Sequence, residues 1–328
     1  DNISKKNYSL FIVFNFIIIV FISIDILYQY NFNKNIFGFP PGMCEIDFIA
    51  CTRFSGMFGS ELIAGGYLSQ IGLLFFFLST SEDFKKSSYK KITIYAFIPF
   101  LFLIIILTGE RNALLIFLIC ISIICFFYKK VVVFLITITI FTLIFLLAVQ
   151  NSLSIKARYL NLFTASTSTI ESSIKEKIMN TPWSYHYQTA FEMFLEKPIL
   201  GHGYKNFRVK CSETEIDKKL FKQRIKYRNY RGCSTHPHNY MMEMLSENGM
   251  VGFLFFVTII FMIFNKILRT RNYSKSKYQF LTISIGSILL ALLFPFKPSG
   301  SFFSTFNASI FFYLLGFFLY YAKRSKQE

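Results

Sequence analysis

The chain has 328 residues, of which 53% are hydrophobic and 19% aromatic, and its formal net charge is +17. Its mean hydropathy is +0.45, well above that of a soluble domain. Because the apolar residues stand in long blocks and not in periodic stripes, the composition excludes a soluble globular domain. It predicts an all-α polytopic membrane protein whose basic residues lie in loops, with the lipid bilayer and not nucleic acid as its partner.

Eight apolar blocks approach the roughly 20 residues that a helix needs to cross a bilayer. In chain order they are 8–28, 59–79, 92–108, 112–128, 131–150, 250–267, 279–294 and 302–321. The first block has no small-residue cleavage site and is long enough to span, so it is predicted to be a transmembrane helix and not a signal peptide.

The basic residues of the short loops give the orientation. If all eight blocks span, most of them fall on one side, which the positive-inside rule assigns to the cytoplasm. These residues are Lys5, Lys6, Lys85, Lys86, Lys90, Lys91, Lys129, Lys130, Lys266, Arg269, Arg271, Lys275, Lys277, Lys323, Arg324 and Lys326. The prediction is then five helices with short non-cytoplasmic, arginine-bearing loops in 1–150, a large, partly helical non-cytoplasmic loop in 151–249, and three helices with a cytoplasmic tail in 250–328.

Cysteine positions agree with this orientation. Cys44 and Cys51 share the first predicted non-cytoplasmic loop, and Cys211 and Cys233 share the long one. Because disulfides persist in oxidising compartments, each pair is a candidate disulfide.

The long loop contains sequence signals for two helices and a tight turn. Residues 184–196 predict an amphipathic helix with Tyr187, Ala190, Phe191 and Phe194 on one face. The sequence GHGY at 201–204 predicts a tight turn, since both glycines can adopt a positive φ. Further on, Asn239 is a predicted N-cap of a short helix over 240–248 that ends at Gly249.

His238 stands directly before that helix. The positive end of a helix disfavours an imidazolium, so the ring is expected to be neutral and able to accept a proton. A general base needs that neutrality and a fixed position. A capping histidine without chemistry is the alternative, and a zinc site with His236 is disfavoured because a closed site needs about four ligands.

Four segments resemble the bacterial O-antigen ligase and O-antigen polymerase family. His238-Asn239 followed by Gly249-x-x-Gly252 resembles the family's periplasmic-loop signature, and PILGHGYKNFR (198–208) resembles its Pro-x-x-Gly-x-Gly element. RFSGMFGSELIAGGYL (53–68) and TGERNALL (108–115) are similar to its two arginine-bearing segments. Members of this family usually have more spans, which together with Asp1 in place of Met predicts that further chain precedes this sequence.

The resemblance implies a GT-C type glycosyltransferase of the bacterial inner membrane that faces the periplasm. Its donor would be a glycan on undecaprenyl pyrophosphate, its acceptor a glycan or lipid A–core, and its expected protein partners a flippase and a chain-length regulator. His238 would be the catalytic base. Substrate binding is assigned to Arg53, Arg111, Lys205, Arg208, His236 and Asn239.

Arginine provides cationic, multidentate donors suited to a pyrophosphate leaving group. The predicted periplasmic loops carry no cluster of carboxylates, so neither a metal nor another cofactor is expected. Two alternatives stay open: a protein O-oligosaccharyltransferase of the same family, and a polysaccharide transporter or channel.

The orientation can be tested by labelling single introduced cysteines in intact cells with a maleimide that does not cross the inner membrane. Lys222→Cys in the long loop should be labelled, whereas Lys326→Cys in the tail should be labelled only after the inner membrane is permeabilised. The opposite pattern would reverse the assignment of both termini.

Overall fold

The structure is a computed structural model, and it describes residues 5–46, 49–80, 88–129, 131–164, 182–218, 232–271 and 278–327. The expectation of a mostly helical chain is confirmed over these residues. An antiparallel hairpin of β1 (Gly42–Ile46) and β2 (Ile49–Arg53) was not predicted. Its register places Cys44 opposite Cys51, but their side chains lie outside the described part, so this disulfide stays a prediction.

Each predicted apolar block contains a helix. The helices are α1 (Lys5–Phe32), α2 (Ala64–Ser79, with a π-helical turn at Leu68–Gly72), α3 (Ser88–Leu107), α4 (Arg111–Phe127), α5 (Val131–Asn151), α6 (Leu153–Thr164), α7 (Pro182–Glu196), α8 (Phe207–Lys210), α9 (Tyr240–Arg271), α10 (Gln279–Leu292) and α11 (Thr305–Gln327). Helices suit apolar blocks because a helix satisfies its own backbone hydrogen bonds where no water is present.

Four helical segments among the described residues are long and apolar enough to cross a membrane. They are Asn7–Phe32, Val131–Asn151, Tyr240–Arg271 and Thr305–Lys326. The apolar helices in α2, α3, α4 and α10 are shorter. These helices support the prediction of a membrane protein. The eight spans and the large periplasmic loop stay predictions.

The chain divides into two compact units. The first unit comprises 1–165, 266–292 and 314–328, and the second comprises 166–265 and 293–313. In the first unit α10 is buried along most of its length. A Cβ on Gly286 would lie 2.6 Å from Ile267 and 2.8 Å from Phe318, so the glycine permits the close helix packing that is common in membrane proteins.

Polar side chains of α1 hold the loop that follows it. The carboxylate of Asp25, buried in the helix, accepts a hydrogen bond from the Ile36 amide at 2.8 Å. Gln29 accepts from the Gly56 amide at 2.9 Å and donates to the Phe39 carbonyl. These contacts give the polar residues of a candidate span a structural role.

In the second unit, the predicted helix near 184–196 is present as α7, and the face that it buries within this unit differs in part from the apolar face of the sequence. The buried residues are His186, Thr189, Ala190 and Met193, whereas Phe191 is 48% exposed. The core of this unit selects small residues and a methionine, which pack with Phe207 and Cys211. Of the predicted apolar face, Ala190 is part of this core and Phe191 is not.

The predicted disulfide between Cys211 and Cys233 is present, with the two Cα atoms 5.1 Å apart. Cys233 packs against the small core that includes Cys211. The bond thus fixes the chain just before the two histidines of the sequence His236-Pro-His238.

Two predicted turns contact each other through their glycines. Gly201 has φ +67° and Gly203 φ +99°, and Gly249 has φ +62° where it interrupts α9. A Cβ on Gly201 would lie 2.4 Å from the Glu247 carbonyl carbon, and one on Gly249 would lie 2.4 Å from the Ile199 oxygen. The predicted end of the short helix at Gly249 is confirmed, and this close backbone approach explains both glycines.

Replacing Gly249 by alanine should destabilise the protein. Gly249 has φ +62° and ψ −162°, a backbone conformation that is almost exclusive to glycine and costs another residue roughly 1–3 kcal/mol. The added Cβ would also displace the 199–201 backbone. Thermal unfolding of detergent-purified protein should show a lower midpoint for Gly249→Ala.

Gly316→Ala is the matched control, because no atom lies within 4 Å of the position where its Cβ would be. This helical substitution should leave the midpoint unchanged or slightly higher. Equal midpoints for the two variants would refute the packing explanation of Gly249.

Candidate active site

In the first unit, three arginines surround the turn between α3 and α4. Arg53 ends β2, Arg111 begins α4 and Arg158 lies on α6. Arg111 Nε donates to the Arg158 carbonyl and Arg158 Nε donates to the Gly109 carbonyl, each at 2.8 Å. The turn residue Gly109 has φ +67°. The backbone thus orients two guanidinium groups while leaving other N–H groups available.

Some of those N–H groups have no partner. Among the described residues, Arg53 Nε and one terminal nitrogen of Arg111 are buried and make no hydrogen bond. Unsatisfied buried donors cost free energy, and a guanidinium can satisfy two oxygens of a carboxylate or phosphate at once. The arginine cluster, defined as Arg53, Arg111 and Arg158, therefore has the donors of an anion site.

One carboxylate, Glu110, stands beside the arginine cluster. It accepts hydrogen bonds from the Gly65 and Gly66 amides at 2.7 and 3.1 Å, and one of its oxygens lies 4.0 Å from an Arg53 nitrogen. Burial raises the pKa of Glu110 to about 7, against the opposing effects of these amides and Arg53.

Repulsion between the arginines contributes to a lowered pKa of Arg158. Burial and then the charges of Arg111 and Arg53 lower the pKa of Arg158 to about 10. Like charges held together in a half-buried place favour an anionic ligand, because such a ligand removes the repulsion.

In the second unit, three imidazoles and one indole lie together. The ring centroid of His238 is 4.1 Å from that of His236, 5.2 Å from that of His186 and 4.7 Å from that of Trp183. His186 Nδ1 lies 3.0 Å from the Gly232 carbonyl oxygen. Since a carbonyl only accepts, Nδ1 carries the proton, which leaves Nε2 as an acceptor when the ring is neutral.

The backbone fixes His238 in an uncommon conformation. Its φ is +56°, a value that few residues other than glycine adopt. Its carbonyl accepts from the Ser299 amide at 2.8 Å. The next residue, Asn239, caps α9 as predicted, with its oxygen accepting from the Met241 and Met242 amides. Strained, over-determined backbone of this kind is frequent at functional sites.

The imidazoles are neutral at ordinary pH. Burial, followed by the charges that His236 and His186 would carry, lowers the pKa of His238 to about 3. Burial also lowers the pKa of His236 and of His186. In the described ranges, no group of three or more His, Cys, Asp or Glu side chains has the arrangement of a metal site.

The remaining predicted site residues have different surroundings. Asn239 is buried, and its amide nitrogen donates to the Pro295 and Lys297 carbonyls at 2.6 and 3.2 Å. The side chains of Lys205 and Arg208 are exposed. The Lys205 amide donates to the Glu247 carboxylate at 2.7 Å. Asn239 thus has a clear structural role, and the two cations stand at the surface of the second unit.

Sequence reasoning missed several residues of these clusters. Arg158 had a signal, a basic residue soon after the fifth apolar block on its predicted periplasmic side. Glu110 and Trp183 stand beside predicted residues and carried no signal of their own. Lys297 carried no such signal either, and it is buried with its ammonium 4.8 Å from the centroid of the Tyr240 ring.

The long apolar helices indicate a membrane protein, and each of its two units carries a cluster of polar side chains. Residues 96–257 match the family model described as O-antigen ligase, and this match identifies the chain as a member of the O-antigen ligase/polymerase family. Membership implies a glycosyltransferase-type enzyme that uses glycan and lipid-linked substrates in a membrane setting. The match includes Arg111, Arg158 and His238, whereas Arg53 precedes it. No curated protein matches the chain.

Anion binding by the arginine cluster should depend on the protonation of Glu110. With a pKa of about 7, this carboxyl is mostly neutral at pH 6 and mostly negative at pH 8, where it competes with an anion for Arg53. Relative to Glu110→Gln, the wild-type protein should lose about threefold to tenfold in affinity for inorganic pyrophosphate between pH 6 and pH 8. Calorimetry at both pH values measures this.

Pyrophosphate itself changes its protonation between pH 6 and pH 8, and this affects its binding to both proteins equally. The comparison with Glu110→Gln therefore isolates the effect of Glu110. If the two proteins show the same change of affinity with pH, Glu110 does not control the charge of the arginine cluster.

Proposed function

We propose that this protein is an inner-membrane glycosyltransferase that moves a glycan from undecaprenyl pyrophosphate to a sugar hydroxyl at the periplasmic face. The observation that carries the proposal is the arginine cluster with its unpartnered donors, in a chain whose family acts on lipid-linked glycans. The product would enter lipopolysaccharide or another surface polysaccharide.

The arginine cluster is assigned to the pyrophosphate of the donor. When the bond between the anomeric carbon and the pyrophosphate oxygen breaks, the leaving group takes the electron pair and gains negative charge. Fixed positive groups stabilise that charge without reorganising. Arg53 and Arg111 were predicted for this role, and Arg158 joins them because its guanidinium contacts the same turn.

His238 is assigned to the acceptor. Its neutral imidazole would take the proton of the attacking hydroxyl while that oxygen forms the new bond to the anomeric carbon. A pKa of about 3 makes the free ring a weak base. His236 and Asn239 would orient the ring, with Lys205 and Arg208 as further phosphate contacts.

Protein O-glycosylation is the nearest alternative, and it differs only in the acceptor. A gel of lipid-linked and surface glycans from cells with and without the gene separates the outcomes. Single repeats on the lipid indicate a polymerase, unligated polymer indicates a ligase, and unchanged surface glycans with an unglycosylated protein indicate the alternative.

A polysaccharide transporter or channel is the alternative of another class. Transporters place charged residues within spans to bind their substrates or ions. Here the carboxylate of Asp25 binds the backbone of the following loop, and Glu61 is exposed. These two acids therefore provide no support for transport.

The sharpest test of the base is His238→Asn. Asparagine tolerates the positive φ of this position and can hydrogen-bond nearby backbone, but it cannot accept the proton. Turnover of a lipid-linked donor should fall by ~10²–10⁴ while donor binding changes little. Near wild-type turnover in a folded, inserted variant would refute the assignment.

Arg158→Ala should differ from His238→Asn, because the charge of Arg158 would contact the pyrophosphate both in the bound donor and during the reaction. This variant should weaken donor binding as well as turnover. Arg324→Ala, an exposed cation in the C-terminal part of α11, is the matched control and should change neither. Equal effects of Arg158→Ala and Arg324→Ala would remove Arg158 from the site.

A further inference from the structure

Trp183 is the chain's one tryptophan and has no part in the function proposed above. It lies in the first turn of α7 and is 41% exposed, so part of its indole surface is accessible to a ligand. Its indole and the imidazole of His238 have ring planes at 75° and centroids 4.7 Å apart. The two nearly perpendicular rings therefore form a corner, with the indole on one side and the imidazole on the other.

The second unit also holds polar atoms that have no partner. Ser299 is 5% exposed, and its hydroxyl makes no hydrogen bond with any described residue. Its backbone amide is bonded to the carbonyl of His238, so this hydroxyl lies on the segment that holds His238. A buried unsatisfied hydroxyl is costly, and a ligand rich in hydroxyl groups is the kind that would satisfy it.

The absence of charge on the imidazoles around this corner suits an uncharged ligand. The imidazoles of His186, His236 and His238 are all kept neutral by burial. An apolar platform beside a few polar atoms is the usual composition of a small-molecule site. A sugar ring matches it, because its C–H groups pack on an aromatic face while its hydroxyl groups point outward along its edge.

We propose that Trp183 is the platform for the acceptor sugar, which rests on the indole and presents one hydroxyl to His238. The proposal depends on the glycosyl transfer proposed above and adds the place of the acceptor. A different role for an exposed tryptophan is to anchor a protein at the membrane surface, and the experiment distinguishes the two roles.

The kinetic experiment measures acceptor and donor KM separately, with oligosaccharides released by mild acid from the producing strain's own surface glycan as acceptor. Trp183→Ala should raise the acceptor KM roughly tenfold and leave the donor KM unchanged, and Trp183→Phe should restore much of the loss. Phe191→Ala is the matched control, an exposed aromatic residue of the same helix, and should change neither constant.

Because Trp183 is the only tryptophan, its fluorescence reports on this position alone. In lipid vesicles that contain only His238→Asn protein, the same oligosaccharides should change the emission in a saturable way. Quenching by brominated lipid without any response to oligosaccharide would establish a membrane anchor and overturn the proposal, as would an unchanged acceptor KM in Trp183→Ala.

Failure of the glycosyl transfer itself gives a different result. In that case the wild-type protein would transfer no glycan, although an emission change with oligosaccharide would still show a sugar site at Trp183. If the wild-type protein transfers glycan and both readouts at Trp183 are silent, only the acceptor platform is wrong.

Discussion

The second unit depends on the side chain of Asn239, which uses both ends of its amide. The oxygen caps the first turn of α9, and the nitrogen holds the carbonyls of Pro295 and Lys297. A capping interaction is usually worth about 1 kcal/mol. Here one residue joins a helix start to a distant loop, and the preceding residue, His238, is thereby held from both sides.

The loop that contains Pro295 and Lys297 is bound to α9 again one turn further along the helix. The carboxylate of Glu243 accepts from the Ser301 hydroxyl and, at 2.7 Å, from the Phe302 amide. A buried carboxylate with two donors is stable where an unpaired one would be costly. The polar residues of this apolar chain thus join segments that are far apart in sequence, and catalytic groups can be placed on the segments they fix.

The sequence was sufficient for features with strong local signals. Apolar blocks predicted the helices, Asn239 the N-cap, Gly249 the helix break, and the compartment of Cys211 and Cys233 their disulfide. The sequence was insufficient for features that depend on contacts between distant segments. The buried face of α7 follows the space available around Ala190 and Met193 and not side-chain size, and the approach of Arg158 to Gly109 joins segments 49 residues apart.

The bond between Cys211 and Cys233 makes the basic segment between them a closed ring. A single cut of the backbone within this ring does not separate the chain into two molecules, because the disulfide still joins the two sides of the cut. A protease that cleaved once within this segment would leave the protein as a single molecule until a reductant opened the bond. His238, which follows Cys233 in the chain, would stay joined to the rest of the second unit after such a cut.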